Sequence, residues 1–245
     1  MRATQFGVLA YADARLVWRD PLLKWILLLP LGLALLLRVL IPRAHDALLV
    51  SAGFEAAPYY PLVMGGYLMT ASGIVGMVVG FLLLDERDAH TLTALRVTPL
   101  SMRRYLAYRV TVPLLVATAS TLLGYAMIGI TPLPLSALLA ISAVSALSAP
   151  LLALVLATAA PNKVAGLAVV KVLNGLNLLP IAAFFLPTPL QYVAGVIPTY
   201  WPMRAFWSAA AGEGYLAYLV IGATSCALAL VLAAFMFERR LVRRG

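Results

Sequence analysis

Charge is what this sequence has least of. Its 245 residues include 18 Lys and Arg and 9 Asp and Glu, so 11% are charged, where a soluble domain carries about a quarter. With 63% hydrophobic residues and a mean hydropathy of +0.98, that shortage excludes a water-soluble globular domain. There is one cysteine, Cys226, inside an apolar run, so no internal disulfide and no cysteine metal set can form. The two histidines, His45 and His90, fall on opposite sides of the membrane in the topology below and cannot share a site. No nucleophile stands beside a base and no metal-ligand spacing occurs, so no catalytic and no metal-binding residue is assigned. The interiors of the apolar runs hold no Asp or Glu, which disfavours an ion-coupled transporter. The only lysines are Lys24, Lys163 and Lys171, and none follows a glycine. A phosphate loop of the form G-x-x-x-x-G-K-S/T is therefore absent, and the chain cannot hydrolyse ATP by that route. Short alternating segments of the barrel type are missing too.

What is present is a set of six long apolar runs, roughly Leu22–Ile41, Leu62–Leu84, Tyr105–Ile130, Leu135–Thr158, Val164–Leu186 and Tyr215–Phe237. Each is near the ~20 residues needed to cross ~30 Å of hydrocarbon. The connections are short, so the expected fold is an all-α polytopic membrane protein, one domain over residues 1–245 with six transmembrane helices. Residues 1–21 do not read as a signal peptide, because the run ends in charge rather than at a small-residue cleavage site. As a helix they place Phe6, Ala10, Ala14, Val17 and Trp18 on one side, with Arg2, Arg15, Arg19 and Asp20 largely elsewhere. That modest amphipathicity predicts an elbow helix lying in the interface, against the competing reading of a frayed polar tail.

Topology follows from the basic residues. Six spans put both termini on one side, where fifteen of the 18 Lys and Arg fall, leaving Arg38, Arg43 and Arg204 on the other. The positive-inside rule places both termini and residues 85–104 in the cytoplasm of a bacterial cell membrane. The net charge of +9 then reports topology and anionic lipid rather than nucleic acid. Arg38 is expected to snorkel outward from the first span. Of the outer loops, residues 131–134 form a bare turn. Residues 187–214 are longer, with Tyr192, Tyr200, Trp201, Phe206 and Trp207 suited to the headgroup region. Apolar segments too short to cross suggest a re-entrant hairpin there. Glu55 and Glu213 are external loop carboxylates.

Two polar or small-residue patterns sit inside the spans. Lys171, Asn174 and Asn177 step along the fifth span three residues apart. A charge at bilayer depth costs about 2.5–3.5 kcal/mol on insertion scales, so the set reads either as a polar lining of a translocation path or as a snorkelling lysine with helix-bridging asparagines. Gly73, Gly76 and Gly80 line one side of the second span and permit close helix approach, either within one subunit or along a dimer seam.

The densest polar stretch is LLLDERDAHTLTALRVTPLSMRRYLAYRV, residues 82–110. Its acidic start favours a helix N-terminus. Leu92 and Leu95 share a helix face, Pro99 breaks the run and Ser101 is placed to cap the third span. A short helix, a proline turn and a new helix can offer a partner an apolar ridge in a charged rim. Here Glu86-Arg87-Asp88, Thr91-Leu92, Leu95, Val97-Thr98-Pro99-Leu100-Ser101 and Tyr105-Leu106 resemble the ABC-2 family of ATP-binding-cassette permeases. Within it, the nearest likeness is to the short actinobacterial-type permeases described as fluoroquinolone exporters. The specific motif covers about twenty residues, and the general plan nearly the whole chain. His90 departs from the glycine often found before Thr-Leu.

The resemblance implies that residues 85–104 carry a coupling helix that docks on a separate ATPase subunit, with Glu86, Arg87, Thr91, Leu92, Leu95, Thr98, Pro99 and Leu100 as contacts. PNKVAG, residues 161–166, is similar to the family's second, smaller contact, with Asn162 and Lys163 exposed to the partner. No cofactor is expected on this chain; ATP and Mg would sit on the ATPase. Six spans are half the usual complement, so a second permease copy or a paralogue is implied. The expected function is the permease subunit of an ATP-driven exporter of an amphiphilic drug or lipid-like molecule. The alternative is a membrane scaffold or assembly protein with no transport role.

Overall fold

The computed structural model describes residues 2–89 and 102–244. Its described residues form helices α1 (Arg2–Arg19), α2 (Pro21–Ala52), α3 (Tyr60–Asp88), α4 (Met102–Ile128), α5 (Leu135–Ala146), α6 (Ser148–Ala159), α7 (Lys163–Leu176), α8 (Leu178–Ala183), α9 (Thr188–Gln191), α10 (Tyr200–Ala210) and α11 (Leu216–Arg244). Short 3-10 turns cover Ala57–Tyr59 and Tyr192–Val196. Six stretches are long and apolar enough to cross a membrane: α2, the first turn plus α3, α4, α5 with α6, α7 with α8, and α11. The protein is an all-α polytopic membrane protein. Two spans are broken, the fourth at Leu147 and the fifth at Asn177.

The break between α1 and α2 has a local cause. Asp20 is extended and its carboxylate accepts from the N–H groups of Leu22 (2.9 Å) and Leu23 (3.3 Å), while Pro21 fills the first helical position, where no N–H is needed. The helix that follows runs past the expected end at Ile41 to Ala52, through Pro30 and Pro42. Its 32 residues span about 48 Å, more than the hydrocarbon layer needs. It stops at Gly53, whose φ of 61° turns the chain while the Gly53 and Phe54 N–H groups close on Leu49 and Leu48 carbonyls.

The centre of the bundle is α3. It is the most buried span, packing most extensively on α6 and also on α4, α10 and α2. The α3–α6 seam depends on missing side chains. A Cβ at Gly76 would lie 2.5 Å from the Ala149 carbonyl oxygen, and one at Gly80 would meet Leu156 and, at 3.3 Å, the Cα of Ala153. Gly73, one turn earlier, meets nothing within 4 Å. Gly76 and Gly80 are thus spacers within one chain. Two apolar clusters sit at opposite ends of this helix. One gathers Met64, Tyr67 and Leu68 with Tyr125, Tyr200, Phe206 and Trp207. The other gathers Val17, Leu23, Phe81, Leu84 and Leu156. In the first, α10 is 11 residues long, too short to cross, and buries Tyr200, Met203, Phe206 and Trp207 in the bundle. Arg38 does not only reach outward: its Nη1 donates to the Met127 carbonyl (3.0 Å), closing the last turn of α4.

The seam makes a sharp contrast between neighbouring glycines. Gly76→Val is expected to cost about 1–3 kcal/mol through overpacking and to lower the melting temperature in detergent by several degrees. Gly73→Ala is expected to leave it unchanged. Equal melting curves for both variants would contradict the seam.

Candidate functional site

The end of the bundle that carries most of the basic residues also gathers its acidic ones. Five helices meet there, and a single guanidinium lies at the middle. Arg109, on α4, is 1% exposed. Its Nη1 donates to Asp13 Oδ2 of α1 at 2.6 Å, its Nη2 to Asp13 Oδ1 at 3.4 Å and to Glu86 Oε1 of α3. Nε donates to the Tyr105 hydroxyl at 3.1 Å. That hydroxyl donates in turn to Glu86 Oε2, and the Tyr108 hydroxyl donates to Asp13 Oδ2 at 2.6 Å. Both tyrosine rings stand 5.3 Å from the guanidinium carbon, within cation–π range. The planar fork of arginine suits this place, because it serves two carboxylates and a hydroxyl at once. Tyr105, Tyr108 and Arg109 lie at i, i+3 and i+4 on one helix and so project together.

A second set of contacts extends the junction sideways. Arg87, at the end of α3, donates to the carbonyls of Ala157 (3.0 Å), Ala160 (2.9 Å) and Pro161 (2.5 Å). These are carbonyls left open where α6 stops, and a cation there also meets the negative end of the helix dipole. Asn162 caps α7 by accepting from the Ala165 N–H at 2.9 Å. Lys163 follows it and bridges Asp85 (2.8 Å) and Asp20 (3.4 Å). Desolvation pushes the Asp20 carboxyl up, but the N–H of Leu23, the Lys163 ammonium and the N–H of Leu22 outweigh it and hold the group below its ordinary 3.8. The ends of α1, α3, α4, α6 and α7 are therefore tied to one another, and residues 90–101 connect the two most heavily tied, α3 and α4.

The expected contact residues divide accordingly. Glu86 and Arg87 have partners inside the chain, Glu86 largely buried. Asn162 and Lys163 hold the start of α7 rather than standing alone. Thr91, Leu92, Leu95, Thr98, Pro99 and Leu100 lie outside the described residues. Sequence reasoning missed Asp13, Asp20, Tyr105, Tyr108 and Arg109 as members of one site. For Arg109 the signal is its place a full turn inside the third span, where a charge needs a partner.

A cavity of about 750 Å³ opens between α3, α6, α7, α8 and the segment before α10. Its walls are mostly apolar, with Ser148, Asn174, Asn177 and Thr199 as the polar side chains, and Gly73 contributes to its floor. The break at Asn177 places its Oδ1 to accept from the Thr199 hydroxyl at 2.9 Å. Asn174 and Asn177 thus face this space, whereas Lys171 is exposed and does not line it.

Comparison with known proteins adds a family. Residues 13–235 match the family model described as fluoroquinolones export permease protein Rv2686c-like. Two relatives from Mycobacterium tuberculosis, the fluoroquinolones export permease protein Rv2686c of strain H37Rv and its counterpart MT2760 of strain CDC 1551, are each 36% identical over 214 residues, covering 86% of this chain and 85% of theirs. No solved structure matches.

Breaking the junction by removing its cation leaves two partly buried carboxylates without a partner cation. Arg109→Met is expected to cost about 3–5 kcal/mol, read as a large drop in melting temperature in detergent, with Arg109→Lys in between because an ammonium keeps the charge but lacks the planar fork that reaches Asp13, Glu86 and the Tyr105 hydroxyl together. The triple variant Asp13→Asn, Glu86→Gln, Arg109→Met should recover most of the loss; no recovery would show that packing rather than charge holds the site. For Asp20, a carboxyl held below its ordinary value contributes stability that is full above that value and lost as pH falls through the lowered one. Melting temperature should therefore fall more steeply between about pH 5 and pH 3 in the wild type than in Asp20→Asn, which keeps a cap and has no charge to lose.

Proposed function

The chain belongs to the Rv2686c-like fluoroquinolone export permease family, and from that premise we propose that it is the membrane subunit of an ATP-driven exporter. A separate ATPase supplies ATP and Mg and docks on residues 85–104, in the cytoplasm. The observation that carries this reading is the ionic junction. Residues 90–101 join the ends of α3 and α4, and both ends are tied by Glu86, Arg87 and Arg109 to α1 and α6.

A push on that loop is delivered to several helices together rather than bending one. ATP binding on the partner moves the loop, and the helices of the junction move with it. Because α3, α6 and α7 also wall the cavity, the same displacement changes its shape. The partner drives this only if it binds one state more tightly than the other. The molecule moved is an amphiphile, of which the fluoroquinolones named for the relatives are an instance. The apolar walls hold its body, and Asn174, Asn177, Thr199 and Ser148 offer hydrogen bonds without a charge. A second copy of the chain or a paralogue completes the transporter.

The test is a mild-detergent pull-down of tagged wild-type and Leu92→Asp chains with an ATPase assay on the eluate. The wild type should carry an ATPase and export activity, and Leu92→Asp should insert normally but lose both. Coupled activity in Leu92→Asp would defeat the docking assignment, and an ATPase-free wild type would defeat the exporter.

A further inference from the structure

The elbow helix α1 sorts its side chains by charge sign. On one face Asp13 and Asp20 turn toward the bundle, with the buried Val17 between them. Asp13 is neutralised by Arg109, and Asp20 by Lys163 and the α2 cap. The opposite face carries Tyr11, Arg15, Trp18 and Arg19, at helical offsets of three, four, seven and eight that keep them together. Tyr11 is 71% and Trp18 67% exposed, so Trp18 points away from Val17 instead of sharing its side. The first turn of α2 continues this face: the Lys24 ammonium stands 4.5 Å over the Trp18 ring, and Trp25 is exposed beside it. Among the described residues, no carboxylate pairs with Arg15, Arg19 or Lys24. Every acid that could have neutralised them locally is turned inward and occupied.

We propose that this outer face is a binding surface for the headgroups of anionic phospholipids. Charge selects the occupant. Arg15, Arg19 and Lys24 form a compact cationic patch, and a phosphodiester with net negative charge completes it where a zwitterionic headgroup brings its own cation. Position selects a lipid over a soluble anion. Tyr11, Trp18 and Trp25 are amphipathic rings of the kind that sit at headgroup level, and Leu16 and Leu22, both exposed, reach the acyl chains below. The helix lies in the interface with its cations at the phosphate plane. Because Asp13 on its other face holds Arg109, lipid on one side and the junction on the other fix α1 between them. This inference needs only that the chain sits in a bilayer and is independent of the exporter reading.

The experiment uses the full chain reconstituted in vesicles of phosphatidylcholine with 30 mol% phosphatidylglycerol, roughly enough to give the surface potential of an anionic leaflet. Brominated acyl chains, which quench tryptophan on contact, are placed on one lipid or the other. Wild type and Arg15→Gln/Arg19→Gln/Lys24→Gln are compared, with Trp18→Phe/Trp25→Phe as the control that isolates the local signal. Each cation near an anionic surface contributes about fivefold. Local enrichment saturates at about threefold when a lipid present at 30 mol% fills every adjacent position, so quenching of Trp18 and Trp25 by the anionic lipid should exceed its mole fraction by about two- to threefold. The excess should disappear in the triple glutamine variant and persist against millimolar glycerol phosphate. Quenching in proportion to mole fraction in the wild type would overturn the proposal. So would loss of the excess on adding glycerol phosphate, which would make the site one for soluble phosphate. The melting temperature of the glutamine variant checks that it is folded; its substitutions touch no junction contact.

Discussion

A guanidinium that is 1% exposed must be neutralised where it stands, and the arrangement of this protein's basic end follows from that requirement. Arg109 finds one carboxylate on the elbow helix and one at the end of α3, and two tyrosines on its own helix complete its shell. Removing water from such a group is expensive, and the attraction of its partners roughly offsets that cost. The consequence is specificity more than net stability. The observed placement of α1, α3 and α4 satisfies all of these groups at once, and a displacement that separates them leaves a charge unpaired in a poor solvent. Helices linked in this way move as a body.

The second constraint is steric. Gly76 and Gly80 bring α3 against α6 until backbone meets backbone, and Arg87 ties the ends of the same two helices through the carbonyls at the close of α6. Close packing along the seam and capping at its end reinforce each other. Further along, where α3 has only Gly73 and α7 breaks at Asn177, packing opens and the cavity appears. A rigid basic end and a looser middle lie along one helix, and α3 is the element that connects them.

Much of this was legible in the sequence because hydropathy is a local property. The six spans, their order and the short links between them follow from apolar runs that no tertiary contact is needed to interpret. The overrun of α2 beyond Ile41 was hidden, because Pro42, Arg43 and His45 read as a loop while the helix continues through them. The junction was hidden for a different reason. Asp13, Glu86 and Arg109 are far apart in the chain, and nothing local in any of the three segments states that they meet. Arg87 and Lys163 were legible as important cations, but their partners are carbonyls and carboxylates that only the fold brings near. Asn174 and Asn177 were legible as unusual in a span; that they face an open space depends on the break at Asn177, for which Pro180, with no N–H and a ring that crowds the Leu176 carbonyl four residues back, was the local signal.

The most direct test of the central claim is amide hydrogen exchange, followed by mass spectrometry, on wild type and Arg109→Met in the same lipid nanodiscs. If the buried guanidinium binds the helix ends into one body, protection should be lost together over residues 9–19 of α1, the last turn of α3 and the first turns of α4. The far end of the bundle, around Tyr67 and Phe206, should keep its protection. Loss confined to the neighbourhood of residue 109, with α1 as protected as before, would contradict the account.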